Sequence, residues 1–340
     1  MIHHKDAPWF PSDDSVTDQL LCSDLYSSII DYAKINNINL LPDEYSIIRL
    51  SLKEDRSKIC DFIARFYGND KWKLEIDQSE FDFMDASNNA QFLGFTWRGL
   101  LIAIISVETF NILYNGTLYK TCYGDHFIVH PKFRSTGLSN IVITNAIMET
   151  AKTGCRFHFF TTHTPLNIKS SLVKRLYNLA LTDVPLLSLD RSMTNYKALP
   201  IKRQTMIEPK LDHVKQFNEM DYKMRLIYTD DQLNAMLKYE YIFTDGSSVL
   251  RFNTITNVAE GMRIKTAVLQ DYVKINNVQF FNEVLTDLRA KGFDRVTVFN
   301  DRTMDSIINK FGFKKNSEMK IYISNFLPKI RSNEIHINVR

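Results

Sequence analysis

The stretch Arg134-Ser135-Thr136-Gly137-Leu138-Ser139 lies where an apolar, β-branched run gives way to a helical pattern. In such a turn successive backbone amides converge on one point, and the amino terminus of the following helix adds partial positive charge. Together these suit a pyrophosphate. Gly137 permits close approach to the backbone, Lys132 and Arg134 supply further cations, and Ser139 can cap the helix or donate to a phosphate oxygen. The plainer reading is ordinary turn chemistry, and the flanking elements decide between the two. His126 and His130 precede the turn. Four residues apart on one strand, they would be separated by more than ~13 Å and could not chelate one metal. No metal site is expected. The four cysteines, Cys22, Cys60, Cys122 and Cys155, contain no Cys-x-x-Cys pair, which fits a reducing compartment.

The elements that must hold this turn are legible on both sides. Ile59, Phe62, Ile63 and Phe66 recur at helical spacing between Asp55 and Tyr67, and Gly68-Asn69 is a stop signal. Strands are predicted at Ala90–Trp97, Leu100–Val107, Thr109–Tyr114 and Thr117–Tyr123. Asn115-Gly116 closes a hairpin. Phe127–Val129 reads as a further strand. A helix carrying Leu138, Ile141, Val142, Ala146 and Ile147 follows, and then a strand at Arg156–Thr162. Pattern is lost from Tyr196 to Pro209, a linker. The same grammar then returns: a helix at Asp230–Tyr239, strands near Tyr241 and at Val249–Ile255, a helix at Val278–Lys291, a strand at Arg295–Phe299, a short helix to Lys310 and two last strands. The closing run Ile335–Arg340 alternates like a half-buried strand.

These elements define an α/β (α+β) chain with an arm at 1–18, a first half at 19–200 and a second half at 201–340. Two cores fit 340 residues at 44% hydrophobic content, because single cores stop growing near ~250–300 residues. With 42 Lys+Arg against 39 Asp+Glu, the net charge of +3 offers little field for gripping nucleic acid, and none is expected as a partner. No leader opens the sequence, and the most apolar stretch, Leu100–Val107, is too short to span a bilayer. A cytoplasmic monomer without stable membrane insertion is expected. Ile2 also denies the chain the amino-terminal glycine needed for its own myristoylation.

The turn resembles the Arg/Gln-x-x-Gly-x-Gly/Ala pyrophosphate loop of the GNAT acyltransferase superfamily, and the strands on either side follow that superfamily's order. Read with its flanks, Asp125-His126-Phe127-Ile128-Val129-His130-Pro131-Lys132-Phe133-Arg134-Ser135 is similar to the segment Asn-Phe-Leu-Cys-Val-His-Lys-Lys-Leu-Arg-Ser of the N-myristoyltransferase family. Six other landmarks fall in the family's order. They are Asp6-Ala7-Pro8-Trp9-Phe10, Leu41-Pro42-Asp43-Glu44-Tyr45, Phe81-Asp82-Phe83, Tyr196-Lys197-Ala198-Leu199-Pro200, Lys291-Gly292-Phe293-Asp294 and Lys310-Phe311-Gly312. The resemblance spans nearly the whole chain.

The resemblance implies two pseudo-symmetric GNAT-like halves, each a mixed, mainly antiparallel sheet flanked by helices. It implies myristoyl-CoA as co-substrate, no prosthetic group, and N-terminal glycine peptides of client proteins as acceptors. The backbone amides of His126 and Phe127 would form an oxyanion hole for the thioester carbonyl. Lys132, Arg134, Ser135, Gly137, Leu138 and Ser139 would hold coenzyme A. Phe81 and Phe83, read as neighbours two apart on a strand, would shape a peptide groove, and Thr161 would stand near the glycine amine. The general base would be the terminal carboxylate of Arg340, so no cysteine is needed as nucleophile. A GNAT enzyme using a shorter acyl group and an inactive acyl-CoA or peptide binder remain the alternatives. The pattern breaks at the amine site. Asp125 stands for the family's asparagine, Phe313-Lys314-Lys315-Asn316 for its Gly-Asp-Gly region, and Arg340 for its usual Leu or Gln. Asp125 could pair with the Arg340 side chain or itself take the proton.

Overall fold

The computed structural model describes residues 25–69, 71–162, 184–200, 205–275, 277–300, 304–324 and 335–336. The arm at 1–18, Cys22 and Arg340 lie outside them. In chain order the first elements are α1 (Leu25–Ile35), β1 (Tyr45–Leu50), α2 (Arg56–Phe66), β2 (Gly68–Asn69), β3 (Trp72–Glu75), α3 (Gln78–Ser87), β4 (Ala90–Trp97), β5 (Leu100–Tyr114), β6 (Thr117–Val129), α4 (Leu138–Ala151), β7 (Phe157–Thr162) and β8 (Val184–Ser192). There follow α5 (Leu211–Lys215), β9 (Met224–Ile227), α6 (Asp230–Tyr239), β10 (Tyr241–Thr244), β11 (Val249–Ala259), β12 (Met262–Val273), α7 (Val278–Ala290), β13 (Arg295–Asn300), α8 (Asp305–Phe311), β14 (Lys314–Ser324) and β15 (Ile335–His336).

The chain packs as two compact units, each discontinuous in sequence. One comprises Met1–Asp55, Ala90–Pro185 and Lys320–Arg331, the other Arg56–Asn89, Leu186–Met319 and Ser332–Arg340. In the first, β1, β4, β5 and β6 pair antiparallel in that order. Asn115 (φ +47) and Gly116 (φ +76) close the β5–β6 hairpin; left-handed φ at both central positions is the turn that matches strand twist. α4 then crosses over so that β7 runs parallel to β6. Leu138, Val142 and Ala146 of α4 join Leu93, Phe95 and Ile105 in a buried cluster. The runs Leu100–Val107 and Thr109–Tyr114 are one strand, as are Thr117–Tyr123 and Phe127–Val129.

The second unit repeats this order. β10, β11 and β12 pair antiparallel, and α7 returns the chain to β13, parallel to β12. Each unit takes its last strand from far away in sequence. Lys320–Ser324 of β14 lie antiparallel on β7, and β8 lies antiparallel on β13. With Arg56–Asn89 also packed in the second unit, where β3 pairs with β11, the two units are not consecutive stretches of the chain. Phe81 and Phe83 are helical, contrary to the strand expected for them. Asp77 caps α3, its Oδ1 accepting the Ser79 N–H at 3.0 Å, and the burial of Phe81, Met84 and Ser87 follows the helical period. Phe83 is buried too, because α3 is covered on more than one side.

Two buried polar groups make the units testable. In the second, the fully buried Arg251 Nε lies 2.8 Å from Asp271 Oδ2 and 3.4 Å from Glu240 Oε2, and the Tyr228 hydroxyl donates to Asp271. Arg251→Met should cost about 3–5 kcal/mol in urea unfolding by leaving two carboxylates buried, whereas a cost under about 1 kcal/mol would show that the pair is dispensable. In the first, His158 Nε2 donates to Thr150 Oγ1 at 2.5 Å, because the single Thr150 proton is directed to the carbonyls of Ala146 and Ile147. Burial lowers the pKa of this imidazole from 6.5 to about 3. The unfolded chain therefore takes up a proton below pH 6.5 that the folded chain refuses until about pH 3. The His158 contribution to stability should be flat above pH 6.5 and fall by about 1.4 kcal/mol per pH unit towards pH 3. His158→Gln should flatten that slope; equal slopes in both proteins would contradict this.

Candidate functional site

The centre of the first unit is a break in register on β6. Ile104 pairs with Ile128 and Ser106 with Asp125, so His126 and Phe127 together oppose Ile105 alone. This is a β-bulge, which kinks its strand and re-aims its groups. It puts His126 at φ +47, left-handed and strained for a non-glycine residue. The His126 side chain, only 5% exposed, holds that conformation. Its Nδ1 lies 3.0 Å from the Oγ of buried Ser106, and its ring lies 5.8 Å from that of Phe92. Asp125 completes the cluster, with Oδ1 accepting the His126 N–H at 2.7 Å and Oδ2 3.8 Å from Nδ1. The Ser106, His126 and Asp125 side chains are not a nucleophile relay, because hydroxyl and carboxylate approach the same ring nitrogen.

The strands part where the bulge begins. β6 and β7 pair in parallel from Thr121↔Phe157 to Tyr123↔Phe159, and no further pair follows among the described residues. β7 goes on to Thr162 with β14 along its opposite edge, which pairs with His158, Phe159, Phe160 and Thr161 alike. Thr161 Oγ1 lies 2.9 Å from the Tyr123 hydroxyl, linking the two strands just past their last pair. An extended ligand can enter a sheet between two such strands and meet backbone amides on its way.

β6 ends in the turn at 130–137 that leads into α4. His130 Nδ1 accepts the Lys132 N–H at 3.2 Å and caps the 3₁₀ turn Pro131–Phe133. Arg134 Nε donates to the Val129 carbonyl at 3.0 Å, which anchors the guanidinium near the strand end. Ser135 (φ +64) and Gly137 (φ +88) are both left-handed, and alternation of this kind turns successive N–H groups towards one side. Gly137 is the N-cap of α4 and offers no side chain to cap it, and a Cβ built there would meet open space. Burial, then Lys132, then Arg134 lower the His130 pKa, which marks the positive field of the turn.

The second unit has the same parts in a closed form. Gln270 is an extra residue in β12, because Arg251 pairs with Asp271 and Phe252 with Leu269. The buried Arg251–Asp271 pair fills that position. Asn277 caps α7, its Oδ1 accepting the Phe280 N–H and its Nδ2 donating to Asp245 Oδ2 at 2.9 Å. A helix terminus already capped and carrying a carboxylate disfavours phosphate. The open site is therefore the one in the first unit.

Asp125, His126, Phe127, Lys132, Arg134, Ser135, Gly137, Leu138, Ser139 and Thr161 all lie in the first unit. The Leu138 side chain is core, at 1% exposure, so only its backbone could face a ligand. Phe81 and Phe83 belong to the second unit. The Arg56 guanidinium lies 5.4 Å over the Phe81 ring, and Phe83 lines a small cleft with Ser79, Glu80, Tyr239 and Glu240. Ser106 and Tyr123 are additions that sequence reasoning missed. Burial pushes the Cys122 thiol well above its ordinary pKa. Among the described residues no group of three or more His, Cys, Asp or Glu is placed to hold a metal ion, and no helix is long and apolar enough to cross a membrane.

No protein-family model matches the chain, and no curated protein matches its sequence. Solved structures do match. A crystal structure of Saccharomyces cerevisiae N-myristoyltransferase with bound myristoyl-CoA and inhibitors shares 12% sequence identity at a TM-score of 0.71, over 94% of this chain and 88% of that one. Another structure of the yeast enzyme, with bound myristoyl-CoA, gives a TM-score of 0.68 at 11% identity, over 85% of this chain and 84% of that one. The chain therefore has the N-myristoyltransferase fold: two GNAT-like halves, each a mixed, mainly antiparallel sheet flanked by helices.

Proposed function

We propose that the chain is an acyl-CoA-dependent N-acyltransferase that moves myristoyl from myristoyl-CoA to the N-terminal glycine amine of proteins. One observation carries the reading. The left-handed bulge at His126–Phe127 stands where β6 and β7 part, and the same strand leads into a helix amino terminus without a side-chain cap. The pyrophosphate binds the amides of Gly137, Leu138 and Ser139, with Lys132 and Arg134 neutralising its charge. The pantetheine arm runs between the parted strands, and the thioester oxygen meets the N–H groups of His126 and Phe127. As the acceptor nitrogen attacks, charge develops on that oxygen. Fixed backbone donors at such a position are worth about 2.7–4 kcal/mol each. Direct attack needs no covalent intermediate on the enzyme, in keeping with the buried, high-pKa thiol of Cys122.

The shared fold with an enzyme crystallised with myristoyl-CoA supports the acyl donor, and the resemblance of Asp125–Ser135 to the N-myristoyltransferase segment supports the chemistry. Incubation with acyl-CoAs of graded length and a Gly-initiated peptide should give the fastest transfer near fourteen carbons. Reaction with acetyl-CoA alone would replace the myristoyl reading by a short-chain one, and binding without transfer would reduce the chain to an acyl-CoA carrier. Gly137→Val should weaken coenzyme A binding at least ~10-fold by calorimetry, since a β-branched residue at positive φ costs about 1–2 kcal/mol or remodels the turn. Unchanged affinity would remove the turn from the site.

A further inference from the structure

The donor that this reaction needs is already occupied. Asp125 Oδ1 sits 2.7 Å from the His126 nitrogen, and the side chain is 21% exposed, so it has solvent to rotate into. A carboxylate on that N–H places full negative charge where the thioester oxygen would gather charge, and one N–H cannot serve two anions. The acceptor amine, by contrast, arrives as a cation.

We propose that Asp125 is an acceptor-sensing latch, a role that rests on the acyltransferase reading. In the empty site it masks the His126 amide, and the incoming ammonium draws it away. The carboxylate then takes a proton from the ammonium, and the freed N–H receives the thioester oxygen. The nitrogen lone pair forms a bond to the carbonyl carbon, the C–S bond breaks, and the departing coenzyme A thiolate takes the second proton that the nitrogen gives up, while Asp125 returns the first to solvent. Water is neutral and exerts no such pull. The donor stays masked until an amine is bound, and the thioester is protected from hydrolysis. The acid in place of the family's asparagine thus acquires a function: only a charged side chain both blocks an oxyanion and answers an ammonium.

The test compares wild type, Asp125→Ala and Asp125→Asn for release of coenzyme A from myristoyl-CoA with and without a Gly-initiated peptide. Calorimetry measures binding of the thioester and of an S-alkyl thioether analogue, which lacks the carbonyl. Asp125→Ala should lower peptide acylation ~100-fold by removing the base, yet raise peptide-independent hydrolysis ~10-fold by exposing the donor. Its preference for thioester over thioether should also rise ~10-fold, because only the carbonyl gains a free N–H. Thioether binding at the wild-type level shows an intact fold. Should the alanine variant fail to fold, Asp125→Asn, a neutral and weaker acceptor, should give the same directions at ~3-fold. Unchanged hydrolysis together with an unchanged thioester preference overturns the latch while leaving the acyltransferase reading in place. A wild-type protein that binds neither ligand overturns that reading and the latch with it.

Discussion

A single surplus residue in β6 governs the site. Because His126 and Phe127 share one opposite position, the β5–β6 ladder must either slip along its whole length or kink locally. The kink prevails because His126 can be locked into a left-handed conformation by its own buried ring, against Ser106 and Phe92. The strain, of order 1–3 kcal/mol, persists because its surroundings over-determine it. The kink lies just beyond the last residue at which β6 pairs with β7. The turn proposed to hold the pyrophosphate then lies at the end of the same strand.

Internal repetition sharpens the functional assignment. Both units contain three antiparallel strands, a register break on the third, a crossover helix and a parallel fourth strand. One fold thus offers two potential ligand sites, and electrostatics separates them. In the second unit the bulge is filled by the Arg251–Asp271 pair, and the helix terminus is capped by Asn277 with Asp245 behind it. In the first, Gly137 supplies no cap and the charged side chains nearby are Lys132 and Arg134. An anion discriminates between these environments without any difference in topology.

Much of this was legible in the sequence, for local reasons. Ala90–Trp97 and Asp230–Tyr239 have the bounds that their periodicity and flanking signals indicate. The turn at 134–139 announces itself because glycine, cations and a strand-to-helix transition fall together. What was hidden is non-local. The exchange of β8 and β14 between the units depends on pairings more than a hundred residues apart, which no window along the chain contains. Phe81 and Phe83 carry a strand-like spacing, but the Asp77 cap and the burial of Met84 and Ser87 make that segment helical. The bulge reads in sequence only as a gap between two short strands, and Ser106 as one polar residue in an apolar run. Their meaning depends on register. The carboxylate of Asp125 on the His126 amide is likewise a matter of conformation.

The most direct test of the account is a crystal structure with a Gly-initiated peptide and an acyl-CoA analogue that keeps its carbonyl but has a methylene between carbonyl and sulfur, so that it binds and cannot transfer. The account predicts the pyrophosphate on the Gly137, Leu138 and Ser139 amides, the arm between β6 and β7, and the carbonyl oxygen about 2.7–3.1 Å from the backbone nitrogens of His126 and Phe127. Pyrophosphate bound at the Asn277 end of α7, or a carbonyl remote from the bulge, would contradict it.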